Sequence, residues 1–266
     1  MKTLSVASPA APVFRQRLRA AGVLLALLTC AGSVARGALL IDGFTTEQSV
    51  SVSGGPTGYQ SNFGAVAAPE ALGGERDVFV ERTSNNRGPV SLDVSGSIAG
   101  ALAYNSGIRT TGGATVTWDG FDNSAAVNFT GLNRRDLTQD GQNNALLVSR
   151  TSDLGASVLF TIYQDETHFS TATMPVPADA AFQFSIAVLP FGSFTPAGPD
   201  GGANFKCVGA IVMTILGSAG ADVGIGGLAA ASDSLVAVPE AATWLAGFGA
   251  LGMLGHLFLS RRTVRA

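Results

Sequence analysis

Two aspartates and two aromatic residues occur together at Trp118, Asp119, Phe121 and Asp122. Paired carboxylates can act as acid and base in glycoside hydrolysis, and an aromatic ring can stack on a sugar. Trp118, Asp119 and Asp122 are therefore candidate ligand-binding residues, although a loop closed by an Asp-Gly turn explains the same segment. Exposed aromatic rings beside Asp119 would favour sugar binding. Two carboxyl groups facing each other about 5–10 Å apart across a cleft would favour a glycosidase.

Oxygen-bearing side chains recur at Asp136, Thr138 and Asp140, directly before Gly141. This spacing resembles the start of a calcium-binding loop, in which the hard Ca²⁺ ion takes several oxygen ligands. The segment lacks the acidic residue that closes such loops, because Leu147 occupies that position. Solvated polar residues around an Asp-Gly turn explain the segment equally well. Ca²⁺ is the one cofactor that the sequence suggests.

Other residue types that catalysis requires are scarce. His168 is the only histidine outside the C-terminal apolar span, and its alternating neighbours favour a histidine on the face of a strand. A zinc site built from several histidines is therefore excluded, and a Ser-His-Asp triad would have to use His168. The chain contains no G-x-S-x-G motif and no phosphate-binding loop. We predict that the protein is not an enzyme.

The elements around these candidates are short runs in which apolar and polar residues alternate. The runs are rich in Val, Ile, Thr and Phe, and turn residues separate them. The pattern predicts one all-β domain at residues 38–237, a β-sandwich of the jelly-roll kind. The predicted strands cover residues 76–83, 90–95, 113–119, 125–130, 145–150, 156–164, 167–174, 182–189 and 208–217, with a last strand inside 219–231.

The charge of this domain differs from that of the whole chain. Residues 38–237 contain eight basic and 18 acidic residues, a formal net charge of −10 against −3 for the full sequence. Such an acidic surface argues against nucleic acid as a partner. It is compatible with an extracellular protein and with cation binding.

Residues 1–37 have the order of a secretory signal peptide. Basic residues between positions 2 and 19 precede the apolar run 20–28, and small residues follow. Cys30 lies within this segment, so Cys207 is the single cysteine expected in the exported chain. We therefore expect no intrachain disulfide, and Cys207 is predicted to be a buried small hydrophobic residue.

The last 29 residues, 238–266, combine a Pro-Glu element, an apolar span and a basic end. Residues 241–260 are long enough to cross a bilayer as a helix, and the arginines after them favour the cytoplasmic face. The sequence thus predicts a transmembrane helix with the β-domain outside. The residues that define this segment are Val238, Pro239, Glu240, Trp244, Arg261 and Arg262.

In these residues and this order, the tail resembles the PEP-CTERM sorting signal of Gram-negative bacteria. The resemblance implies an exosortase-type membrane protease as a partner, and an unprocessed single-span anchor is the alternative. The usual start of that signal is V-P-E-P, whereas Ala241 stands here in place of the second proline.

The preceding domain also resembles a domain that recurs in PEP-CTERM proteins. This resemblance implies an exported β-sandwich and carries no known active site. The matching pieces are LLIDGF (39–44), GGERDVFV (73–80), ATVTWDG (114–120), the GL-x(3)-DLT element (131–138) and VGAIVMTI (208–215).

These observations predict an exported surface protein without catalytic activity. It is anchored first in the inner membrane with its domain outside, and then lies at the cell surface or in an extracellular matrix that contains exopolysaccharide. A carbohydrate-binding module is the alternative function. A glycan-active enzyme that uses Asp119 and Asp122 is a third.

Overall fold

The computed structural model describes residues 37–54, 58–84 and 86–236, and these residues form an all-β domain. The predicted sorting segment at 238–266 and all but the last residue of the predicted signal peptide lie outside them. No helix among the described residues is long and apolar enough to cross a membrane. The strands are β1 Leu39–Asp42, β2 Gln48–Val52, β3 Gln60–Ala67, β4 Glu75–Arg82, β5 Val90–Val94, β6 Leu102–Ser106, β7 Gly112–Trp118, β8 Ala145–Ser152, β9 Ala156–Tyr163, β10 Phe169–Val176, β11 Ser185–Pro190, β12 Thr195–Pro196, β13 Ala210–Gly217 and β14 Asp222–Ala231.

The strands form two antiparallel sheets. The first sheet has the order β11-β8-β14-β6-β5-β2, and β1 pairs with the half of β14 that β6 leaves free. The second sheet has the order β12-β10-β9-β13-β7-β4-β3. Two short 3-10 helices, Phe191–Ser193 and Asp233–Val236, complete the described elements. The predicted β-sandwich is therefore confirmed.

Period-two alternation places one face of each sheet in a shared core. Val78 in β4 and Phe160 in β9 point inward from the second sheet, while Leu92 in β5 and Val148 in β8 point inward from the first. Each apolar side chain of this size contributes about 1.5–3 kcal/mol when it is fully buried. The other face of the second sheet carries Asp77, Thr117 and Thr161, and this face holds the candidate site.

Eight of the nine strands predicted from periodicity are present, and the last one is observed as β14. The prediction of a strand at residues 125–130 is wrong, because this segment is an irregular loop. The amide of Asn128 donates a hydrogen bond to the side chain of Asp119 and not to a neighbouring strand. Sequence patterning missed β1, β2, β3, β6 and β12, which are short or carry polar and small residues where an alternating strand would have apolar ones.

Candidate functional site

The candidate site is a cluster of four carboxylates on the outer face of the second sheet. Glu75 and Asp77 alternate along β4 with Arg76 and Val78, so the acidic pair faces away from the core. Asp119 follows directly after β7, the neighbour of β4, and Asp122 lies three residues further on. The strand register thus brings together acidic residues from two distant parts of the chain.

Two of these carboxylates hold the loop that leaves β7, residues 120–131. Oε1 of Glu75 accepts hydrogen bonds from the amides of Asp122 at 3.0 Å and Asn123 at 2.8 Å. Oδ2 of Asp119 accepts one from the amide of Asn128 at 2.6 Å. Because the loop's amides bond to side chains in the sheet, the loop is fixed to the outer face without strand pairing.

Asp77 lies beneath this arrangement and is 3% exposed. No N–H or hydroxyl donor in the described part of the chain reaches either of its carboxylate oxygens or Oδ1 of Asp119. Burial raises the pKa of Asp77 to about 8, and the negative charges of Asp119, Glu75 and Asp122 and a side-chain hydrogen bond with Asp119 contribute further. Burial likewise raises the pKa of Asp119. One carboxylate oxygen each from Glu75, Asp77 and Asp122 lies within 4.8 Å of the other two.

Of the three residues predicted for this site, the structure places two in the acidic cluster and one in the core. Asp119 and Asp122 join the cluster, but Trp118 points to the opposite face of β7 and is fully buried. Its indole Nε1 donates a hydrogen bond to Asp42 at 2.8 Å. This position does not allow the stacking role predicted for Trp118. Phe121 is the exposed aromatic residue beside the acidic cluster, with 65% of its surface accessible.

A row of three aromatic rings lies at the same end of the outer face. Tyr163 on β9 and Phe169 on β10 are paired across the sheet, and their ring centroids are 5.1 Å apart. Phe129 from the 120–131 loop also packs against Tyr163, with ring centroids 5.1 Å apart. All three rings are partly exposed. Alternation along β9 directs Tyr163 away from the core, because its neighbour Ile162 is buried.

Register shows that the aromatic row and the acidic cluster are neighbours. Trp118 pairs with Ile211, so Asp119 follows at the level of Ala210, which itself pairs with Tyr163. Two further side chains, those of Thr171 and Thr195, are paired with each other one step along the same face. The outer face therefore combines carboxylates, aromatic rings and hydroxyl groups over adjacent strands.

The second predicted site, at Asp136, Thr138 and Asp140, is a loop that its own hydrogen bonds account for. Oδ1 of Asp136 accepts from the amide and hydroxyl of Thr138 at 2.8 and 2.7 Å, and Oδ2 accepts from the amide of Asp140 at 3.0 Å. Although slight burial opposes it, these hydrogen bonds lower the pKa of Asp136. Calcium at this loop stays a prediction.

His168 lies outside the strand in which the sequence placed it, and the prediction that Cys207 is a buried hydrophobic residue is wrong. His168 precedes β10, and its Nδ1 is 2.9 Å from Oδ1 of Asp165. Cys207 precedes β13, is only partly buried, and its Sγ accepts a hydrogen bond from Arg134 at 3.4 Å. Neither residue lies in the acidic cluster.

Sequence reasoning missed Glu75 and Asp77. Both lie in GGERDVFV, where acidic residues at alternating positions of a strand are normally interpreted as the solvent face. The signal that could have identified them is the second acidic pair, Asp119 at the end of the predicted strand 113–119 and Asp122 shortly after it. Only the pairing of β4 with β7 connects the two pairs.

Comparisons with known proteins give weak likenesses. No protein-family model matches the sequence, and no curated protein matches it. The fold is similar to a family 11 carbohydrate-binding module, CtCBM11, with a TM-score of 0.39 and 10% identity over 75% of this chain and 98% of that one. It is also similar to a family 30 carbohydrate-binding module of a Clostridium thermocellum cellulase, with a TM-score of 0.32 and 13% identity over 70% of this chain and 98% of that one.

Proposed function

We propose that this protein is an exported, non-catalytic module that binds carbohydrate on the outer face of its second sheet. The observation that carries the proposal is the row of Phe129, Tyr163 and Phe169, whose rings lie side by side and partly exposed on that face. Aromatic rings offer apolar faces on which the apolar faces of sugar rings can stack. Binding sites of this kind combine such apolar surface with a few polar groups that fix orientation.

Hydroxyl groups lie beside the row. The hydroxyl groups of Thr171 and Thr195 lie one register step away, on the same face. These groups can exchange hydrogen bonds with sugar hydroxyls while the rings provide contact area.

The arrangement of the carboxylates favours binding over hydrolysis. Retaining and inverting glycosidases hold two carboxyl groups roughly 5–10 Å apart, with the sugar between them. Here one oxygen each of Glu75, Asp77 and Asp122 lies within 4.8 Å of the other two, and Asp77 is buried. This spacing is shorter than the separation at which two carboxyl groups hold a sugar between them.

Export and sorting belong to the same proposal and rest on the sequence of the two ends. The signal peptide at 1–37 and the PEP-CTERM-like segment at 238–266 support delivery to the cell surface, where an exopolysaccharide would be available as ligand. The partner for processing would be an exosortase-type protease in the membrane.

A glycan array probed with the full-length protein, in CaCl₂ and in EDTA, tests the proposal. We expect binding to at least one polysaccharide class and a loss of affinity of about tenfold or more in Tyr163→Ala, because truncation of a central aromatic contact costs about 2 kcal/mol or more and about 1.4 kcal/mol is tenfold. Tyr59→Ala is the matched control, since Tyr59 is 59% exposed and precedes β3 at the far edge of the sheet. Absence of binding in both conditions, or equal losses in the two variants, would contradict the proposal.

A further inference from the structure

The carboxylates that hold the 120–131 loop each accept the loop's amide hydrogen bonds on only one of their two oxygens. Glu75 uses Oε1 for the amides of Asp122 and Asn123, and Asp122 uses Oδ1 for the amide of Ser124 at 2.9 Å. Within the described structure, the second oxygen of each side chain accepts no hydrogen bond. The free oxygens of both residues therefore remain available at the point where the loop meets β4.

The buried carboxylate of Asp77 is a second, separate indication that this cluster binds a cation. Asp77 is only 3% exposed, and one of its carboxylate oxygens lies within 4.8 Å of oxygens of Glu75 and Asp122. No N–H or hydroxyl donor among the described residues reaches either oxygen of Asp77. Burying a carboxylate that faces only other carboxyl groups is costly, and buried charges in proteins are normally paired or coordinate a metal ion. The ion pairs found in the described ranges involve Asp42, Glu70 and Asp165, and none includes this cluster.

We propose that Glu75, Asp77 and Asp122 bind one Ca²⁺ ion, which ties the 120–131 loop to β4. The donor set contains only carboxylate oxygens, which hard cations prefer over the nitrogen and sulfur ligands that zinc or copper select. Oxygens on opposite sides of Ca²⁺ lie about 4.6–5.2 Å apart, from metal–oxygen distances of 2.3–2.6 Å. One oxygen from each of the three side chains lies within 4.8 Å of the other two, so all three can bind one ion of this size. Mg²⁺ gives up its water reluctantly and seldom takes a site built from protein oxygens alone.

The ion would also act on the aromatic row, because Phe129 lies in the same loop and packs on Tyr163. Fixing Asp122 to β4 limits the freedom of the loop that carries this ring. This consequence rests on the proposed carbohydrate binding, whereas the ion site itself does not.

The test is a calcium titration of the full-length protein in detergent, freed of metal with EDTA and free of sugar. At about a hundredfold excess of CaCl₂ over the dissociation constant, we expect the melting temperature to rise by about 5–10 °C. Isothermal titration calorimetry should give one site, and MgCl₂ should bind more weakly. Because no sugar is present, this result is independent of whether the protein binds glycans.

Three variants distinguish this site from other acidic groups. Asp77→Asn and the exposed Asp122→Asn should both lose the calcium-dependent rise, and Asp122→Asn serves if the buried variant does not fold. Asp140→Asn is the matched control, since Asp140 is an exposed aspartate in the other candidate calcium loop. No rise in the unaltered protein would overturn the proposal. A response lost in Asp140→Asn but retained in Asp122→Asn would also overturn it, and would place the ion at Asp136–Asp140.

Discussion

Asp42 is the centre of a buried polar cluster in the sandwich. Its carboxylate accepts hydrogen bonds from Nε of Arg76 at 3.1 Å, from Nε1 of Trp118 at 2.8 Å and from the amide of Phe44 at 2.7 Å. Asp42, Arg76 and Trp118 are all fully buried. Burial raises the pKa of Asp42, although Arg76 and the hydrogen bonds oppose the rise. The acid and the guanidinium thus depend on each other inside the sandwich.

Replacement of Asp42 should therefore be strongly destabilising. Asp42→Ala leaves the buried guanidinium of Arg76 and the indole N–H of Trp118 without this acceptor, and breaking a buried pair on one side costs about 3–5 kcal/mol. Urea unfolding followed by tryptophan fluorescence measures the change. Asp93→Asn is the control, because Asp93 is partly exposed, bonds to Ser49, and should change stability by no more than about 0.5 kcal/mol. Equal effects of the two substitutions would contradict the role of Asp42.

The 120–131 loop has a strand-like sequence but forms no strand. Alternation at 125–130 predicts a strand, but Glu75 and Asp119 offer charged acceptors to the loop's amides. Hydrogen bonds to charged acceptors are stronger than neutral ones, and the loop therefore folds back on the sheet instead of extending it. The loop returns close to the chain at Gly131, where a Cβ atom would collide with the carbonyl oxygen of Asp119.

This close approach predicts that Gly131 tolerates no side chain. Gly131→Ala should push the loop away from the end of β7 and destabilise the domain by about 1–3 kcal/mol, the usual cost of overpacking. It should also increase proteolytic cleavage within residues 120–131, which limited proteolysis with mass spectrometry would locate. Gly192→Ala is the control, because a Cβ at Gly192 meets no atom within 4 Å. Unchanged stability and cleavage in Gly131→Ala would show that the loop is not held at this point.

Three segments that lie far apart in the chain meet at one end of the sandwich. LLIDGF supplies Asp42, GGERDVFV supplies Arg76, and ATVTWDG supplies Trp118, and these three form the buried cluster. The same two strands, β4 and β7, carry the acidic cluster on their other face. GGERDVFV and ATVTWDG therefore supply residues to both the buried polar cluster and the candidate site.

The two ends of the chain lead to a prediction about delivery. Expressed together with an exosortase, the protein should lose its tail and leave the membrane, whereas without the protease it should stay membrane-bound at the mass expected after signal-peptide removal. Intact-mass spectrometry of the membrane and released fractions measures both. Ala241→Pro restores V-P-E-P and should be processed at least as fully as the unaltered chain. An unchanged C-terminus and membrane retention in both hosts would support a plain anchor instead.

Local patterns in the sequence predicted nine of the fourteen strands and the sandwich, because the alternation that buries one face of a strand is visible in adjacent residues. They also picked out Asp119 and Asp122 as an acidic pair. Sequence alone could not place Trp118 in the core or bring Glu75 and Asp77 to that pair, because both depend on which strands become neighbours and in what register. A strand's two faces are symmetric until the opposite sheet covers one of them. Tertiary structure therefore decided which aromatic rings are exposed and which carboxylates meet.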